Sequence, residues 1–212
     1  MVVKMSCKTC RNRRTPEFFL VCSECYSKNE NLPTNVRSSP WVRIVSPREK
    51  EKPVGAENRK LRDLILANFY SGKIIPDPLR RIVMIGEKLE IRVEEAAIDN
   101  LAKESGLLVG KWLIYESQEE INDVWKTIAS STLKNELGID AKVATALQAG
   151  SGKSVICVYT RNYLDLEDVK RVRKKLMELG FTHKLYYKPD IYTYLNIYRE
   201  TFPGIRASRY AE

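Results

Sequence analysis

From Gly106 to Lys188 the hydrophobic period switches repeatedly between two and 3.6, with glycines and capping residues at the switches. Few folds accept that punctuation. "GKWLIYES" (110–117) alternates as a half-buried strand does. Ser117 and Glu120 form a capping-box pattern ahead of "QEEINDVWKTIASSTLKNELG", a helix lined by Val124, Trp125, Ile128 and Leu133 and ended at Gly138. "AKVATALQAGSGKSVICVYT" reads as two strands joined by a hairpin at Gly150-Ser151-Gly152. Asp165 caps "LEDVKRVRKKLMELG", a basic amphipathic helix ended at Gly180, and "THKLYYK" is a further strand. Strand, helix, strand, strand, helix, strand predicts an α+β fold with a largely antiparallel sheet and helices on one face.

Upstream of this core, "RKLRDLILANFYSGK" carries a helical stripe of Leu61, Leu64, Ile65 and Phe69, stopped by Gly72. "EEAAIDNLAKESG" is a second amphipathic helix, ended at Gly106; "RRIVMIGEKLEIRV" between them reads as strand or helix alike. Residues 31–58 contain four prolines and many polar residues and read as a linker. Trp41 within it either pins the segment to the body or stacks a base. The predicted organisation is a module over 1–30, the linker over 31–58 and an α+β domain over 59–212, with a helical lead-in over 59–105.

The module rests on cysteine spacing. Cys7, Cys10, Cys22 and Cys25 form two C-x2-C pairs separated by eleven residues. Each pair can wrap two sulfurs round one ion, and the intervening segment is long enough for a hairpin that joins the pairs. Tetrahedral Zn²⁺ asks for that arrangement, so a structural zinc ribbon is predicted; four protein ligands leave no open position for catalysis. Two disulfides are the alternative in an oxidising compartment. Cys157, in an apolar run, reads as a buried small hydrophobe.

Charge gives this module a direction. Residues 1–60 hold 13 basic and 6 acidic side chains, so they carry +7 of the chain's +9. Four thiolates on one zinc leave about −2 by charge count. Lys4, Lys8, Arg11, Arg13 and Arg14 exceed that and leave cation for phosphate. A basic arm on a near-neutral body points to a polyanionic partner, RNA or a ribosomal particle, with a solvated surface as the plainer reading. No run of 18 apolar residues exists, so no membrane-spanning helix is expected. The N-terminus lacks the apolar stretch of a signal peptide, and a cytoplasmic location is expected. Neither a P-loop nor a dinucleotide fingerprint appears: "GSGKS" (150–154) lacks the first P-loop glycine at the required distance.

Further contacts with nucleic acid are candidates on the basic helix, at Lys170, Arg171, Arg173, Lys174 and Lys175, unless these form an ordinary solvated face. "KLYYKPDIYTYLNIY" (184–198) holds five of the eleven tyrosines. Tyr186, Tyr187, Tyr192 and Tyr194 offer stacking faces or, in part, core rings. As a strand, this segment puts Tyr192, Tyr194 and Tyr198 on one face; as a helix, it stripes Ile191, Tyr194, Leu195 and Tyr198.

These residues also carry a resemblance. "GKWLI", "DVWKTIASSTLKNELG", "AKVATALQAGSGKSVICVYT" and "DLEDVKRVRKKLMELGFTHKLYY" resemble successive elements of the cap-binding translation initiation factor of the 4E type, over about 106–188. "GKWLI", "AKV", "VICVYT" and above all "YKPDIYTYL" followed by "IY" resemble the family of the basophilic-leukaemia-expressed protein, a divergent branch of that fold. The resemblance implies a curved sheet and a non-catalytic association with RNA or translation. It does not imply cap binding. No Trp stands in "NLAKESGLLV", Tyr159 takes the place of a cap-sandwiching Trp, and the phosphate site is thinned to Lys153; Trp112 and Trp125 match core tryptophans. Losing the sandwich removes the cation–π contact that selects a methylated base. Chains resembling this one are also labelled phosphothreonine lyases, and His183 and Lys188 supply the acid and base types for that alternative. Against it, alternation on a strand separates His183 from Lys184 and Lys188.

Overall fold

The computed structural model describes residues 19–51, 59–70, 95–148, 152–198 and 205–212. Seven strands are present among them: β1 Phe19–Leu20, β2 Trp41–Val45, β3 Gly110–Glu116, β4 Asp140–Ala144, β5 Ser154–Thr160, β6 Tyr186–Pro189 and β7 Tyr210–Ala211. The α-helices are α1 Arg59–Tyr70, α2 Glu95–Ser105, α3 Ile121–Leu133, α4 Leu166–Glu178 and α5 Asp190–Tyr194. The fold is α+β, as the element order predicts. "RRIVMIGEKLEIRV", Gly72 and the hairpin tip at Gly150-Ser151 lie outside the described residues.

The chain forms two compact units. The first comprises Met1–Lys52, Trp112–Thr160 and Glu167–Leu185; the second comprises Pro53–Lys111, Arg161–Leu166 and Tyr186–Glu212. In the first, the strand order is β1-β2-β4-β5-β3. β2–β4 and β4–β5 run antiparallel, and β1 joins β2 in parallel. Pleating puts Val42, Val143 and Ile156 in one cross-strand row and Ile44, Ala141 and Val158 in the next, all without exposed surface. Helix α3 packs on these strands with Ile121, Trp125 and Ile128 buried. Trp112 is also buried, and its indole N–H donates to the Val169 carbonyl on α4 at 3.1 Å.

Two expectations for this unit need correction. Residues 41–45 are not linker: they form β2, between β1 and β4, because "WVRIV" alternates and its flanking Pro40 and Pro47 bracket the strand without interrupting its ladder. Helix α3 ends before Gly138. Asn135 takes the left-handed conformation (φ 60°), and the Glu136 N–H reaches the Ser131 carbonyl. Gly138 is needed for close approach instead, since a Cβ there would lie 1.8 Å from the Tyr159 carbonyl oxygen.

The same closing bond ends three more helices: Leu107 to Ala102 past Gly106, Phe181 to Leu176 past Gly180, and Ile197 to Tyr192 past Asn196 (φ 55°). Segment 190–198 is therefore a short helix with a left-handed stop. In α1, Ile65 is buried and Leu61 half-buried, but Leu64 is exposed.

In the second unit β3 supplies Gly110 and Lys111, and the order continues through β6 to β7, which pair antiparallel. Tyr187 is fully buried, its ring 5.5 Å from that of Tyr210; a Cβ on Gly110 would lie 2.3 Å from the Tyr187 hydroxyl oxygen. Asp99 on α2 accepts from the Tyr163 hydroxyl and from Arg209, both at 2.8 Å. Arg209 also pairs with Glu95, which fastens the C-terminal segment to α2.

Candidate nucleic-acid interface and metal half-site

Cys22 and Cys25 follow directly from β1. The Val21 N–H donates to the Arg43 carbonyl on β2 at 2.9 Å, so the segment is still pinned to the sheet where the C-x2-C begins. The chain then folds back: the N–H groups of Cys25 and Tyr26 both donate to the Cys22 carbonyl at 3.1 Å. Cys25 is buried, Cys22 half-buried, and the Asn31 amide donates to the Cys25 carbonyl at 3.0 Å. A tight turn with two thiols three residues apart fits half of a tetrahedral thiolate site. Cys7, Cys10, Lys8, Arg11, Arg13 and Arg14 lie outside the described residues. Among the described residues no group of three or more His, Cys, Asp or Glu is placed to hold a metal ion.

Strand β2 carries its other face beside this turn. Trp41 and Arg43 alternate with the buried Val42 and Ile44, so they lie on the face opposite α3, where Arg43 registers with Lys142. Lys142 Nζ lies 4.1 Å from the Trp41 ring centroid and 5.7 Å from that of the buried Tyr159, and Arg43 pairs with Asp140. Trp41, Arg43 and Lys142 are all half-buried. The structure thus places an aromatic ring and two cations together where the sequence reading had only a lone Trp.

Helix α4 is less available than its composition suggests. Arg171 donates to the Glu136 and Leu137 carbonyls at 3.1 and 2.9 Å and to Asp168 at 2.7 Å. Lys175 pairs with Glu136 and Glu178. Arg173 is buried and donates to the carbonyls of Phe181 and His183 at 2.7 and 2.9 Å, which locks the turn after the helix. Lys170 and Lys174 are exposed. Arg171 and Lys175 therefore serve folding contacts, and Arg173 offers nothing to a ligand.

The tyrosines divide. Tyr187 and Tyr192 have no exposed surface, which corrects their reading as stacking faces: no nucleobase reaches either ring. Tyr194 is half-buried; Tyr186 and Tyr198 are exposed. The strand argument about His183 also changes, because β6 starts at Tyr186 and leaves His183 and Lys184 exposed on the preceding loop. His183 belongs to the first unit and Lys188 to the second.

Lys188 itself is buried, 6% exposed, with its Nζ 3.5 Å from the Tyr198 ring centroid. Nearby, Lys111 Nζ donates to Asp190 at 2.5 Å and to the Thr193 hydroxyl at 3.4 Å. Burial first, and the Lys111 charge second, push the Lys188 amine down to about 8, while Asp190 pulls the other way. No spacing in the sequence announces this cluster, since Lys111 and Lys188 come from distant strands.

Comparison with known proteins supplies the wider setting. The sequence model of the family described as basophilic leukemia-expressed protein Bles03 matches residues 83–196, more than half of the 212. Among solved structures the chain is similar to a crystal structure of eIF4E-3 from Ascaris suum in complex with an m2,2,7G cap, at 14% identity and a TM-score of 0.37. That match covers 50% of this chain and 58% of the other, so the chain spans under two thirds of that protein's length.

Proposed function

The chain belongs to the family of the basophilic leukemia-expressed protein Bles03, and for this member of it we propose a non-catalytic, translation-associated role in binding RNA or a ribosomal particle through a basic zinc ribbon. One observation carries the reading. The Cys22–Cys25 turn issues from β1, which is bonded to β2, and β2 bears Trp41 and Arg43 beside Lys142. Cys7, Cys10, Cys22 and Cys25 are the residues that would hold the ion. Zinc held there would join the two C-x2-C pairs and do no chemistry of its own. Lys8, Arg11, Arg13 and Arg14 then contact phosphates, which position an RNA without reading its sequence. Trp41 gives a base a surface to stack on, and that contact tolerates any base.

The test has two parts. Metal analysis of the purified chain should give about one zinc per molecule. RNA affinity should fall steeply with salt, and replacing Arg11, Arg13 and Arg14 together by Ala should lower both the affinity and the salt slope, the slope by roughly two to three. Unchanged binding in the triple variant removes the ribbon from the interface. Co-sedimentation with ribosomal particles on a sucrose gradient distinguishes a ribosomal partner from free RNA.

A further inference from the structure

Lys188 is a buried amine with a ring over it and, among the described residues, no hydrogen-bond acceptor at its Nζ. An ammonium has three donors to satisfy, and burying one without acceptors is costly. Among the described residues Lys188 Nζ makes no hydrogen bond; it lies over the face of Tyr198, 3.5 Å from the ring centroid. Asp190, the carboxylate whose charge acts on Lys188, is engaged by Lys111. Lys111 is held in turn by Thr193 and adds a second positive charge to the neighbourhood. Pro189 fixes the backbone between Lys188 and Asp190, and the Asp190 N–H donates to the Val109 carbonyl at 2.8 Å, so this corner is bound to the backbone leading into β3.

We propose that Lys188, supported by the charge of Lys111, binds the phosphate group of a small phosphorylated ligand. A phosphate supplies the acceptor oxygens that Lys188 lacks, and its negative charge offsets two neighbouring ammonium groups. The lowered basicity of the Lys188 amine has the same physical origin: burial and Lys111 both disfavour its charge, and a bound anion restores it. Burial also limits the size of the ligand. Only 6% of Lys188 is exposed, which favours a terminal or free phosphate over the internal backbone of a polynucleotide. Asp190 acts as a positioning residue by holding Lys111. Tyr198, 44% exposed, stands over Lys188 where the rest of a ligand would leave the site. The site belongs to the second unit, and the described residues of the RNA interface proposed above belong to the first.

The experiment is calorimetric titration of the full chain with inorganic phosphate at constant ionic strength, with chloride as the control anion. Wild type should bind one phosphate, and Lys188→Met should weaken that binding at least tenfold. The Arg11, Arg13, Arg14 triple Ala variant should keep it, so failure here and failure of RNA binding are separable. No saturable heat in wild type, or equal affinity in Lys188→Met, overturns the proposal. Should that variant lose its fold by circular dichroism, wild type alone still tests the idea. Phosphate should slow acetylation of Lys188 severalfold relative to Lys142, and equal rates for Lys188 with phosphate and chloride would reject it.

Discussion

Among the described residues Lys142 and Lys188 both lie over aromatic rings, and their surroundings differ. Lys142 sits 4.1 Å from the Trp41 ring, half-buried on a strand of the first unit. Lys188 sits 3.5 Å from the Tyr198 ring in the second unit, almost wholly buried. The contact is of one kind, so the contact does not set the chemistry. Access to water does. Lys142 belongs to a face where Arg43 and Trp41 are also partly exposed, which suits a surface for an extended polyanion. Lys188 is nearly buried and, among the described residues, its Nζ has no hydrogen-bond acceptor, which suits a small anion. The ring lowers the cost of a cation in either place, by about 0.5–2 kcal/mol, but it supplies no hydrogen bond.

The comparison depends first on Tyr187 and Tyr192 of the second unit being structure, not surface. Tyr187→Ala should therefore give the largest effect, a loss of about 3–5 kcal/mol of stability in urea denaturation, because it empties a fully buried site packed against Gly110. A loss below about 1 kcal/mol would return Tyr187 to the list of available rings. Trp41→Ala tests the other side. It should leave the fold intact by circular dichroism and weaken single-stranded RNA binding about tenfold, within the 1–3 kcal/mol that base stacking contributes. Unaltered affinity would make Trp41 a packing residue that shelters Lys142 and nothing more.

Much of this was legible in the order of residues, and the exceptions are instructive. The strands and helices after Gly106 follow their periodicity because each buries one face, and a buried face writes its period into the sequence. Helix ends at Gly106 and Gly180 were readable because glycine marks a left-handed stop. Those at Asn135 and Asn196 were not, because asparagine takes that conformation without advertising it. Strand β2 was masked by its prolines: Pro33, Pro40 and Pro47 gave 31–58 the look of a linker, although "WVRIV" alternates perfectly well within it. The reading of Cys22 and Cys25 as metal ligands rests on their spacing, to which the fold adds a tight turn between them. The Lys111–Lys188 cluster did not, since its members lie on strands that only the fold makes neighbours, and Arg173 looked like one cation among five until its carbonyl partners were placed. The family match over 83–196 includes the lysine cluster's Lys111, Lys188, Asp190 and Thr193 but neither the cysteine pairs nor Trp41. The two candidate sites thus stand on different parts of the chain's identity.

The smallest effect is the most direct test of the contrast between the lysines. The Lys188 amine titrates near 8 in the folded chain, below its ordinary value of 10.5. Between those values the unfolded chain binds more protons than the folded one, so this residue makes stability rise with pH. Below pH 8 the penalty for a buried, charged Lys188 is present in full; it fades as pH rises through 8 and is gone near 10.5. Lys188→Met removes the penalty and keeps an apolar stem of similar shape. The variant should be more stable than wild type at pH 7, and its advantage should shrink by pH 10. Other titrating groups are common to both chains and cancel in the difference. A level difference for Lys188→Met over this range would mean that burial does not disfavour its charge, and the argument for a bound phosphate would lose its electrostatic support.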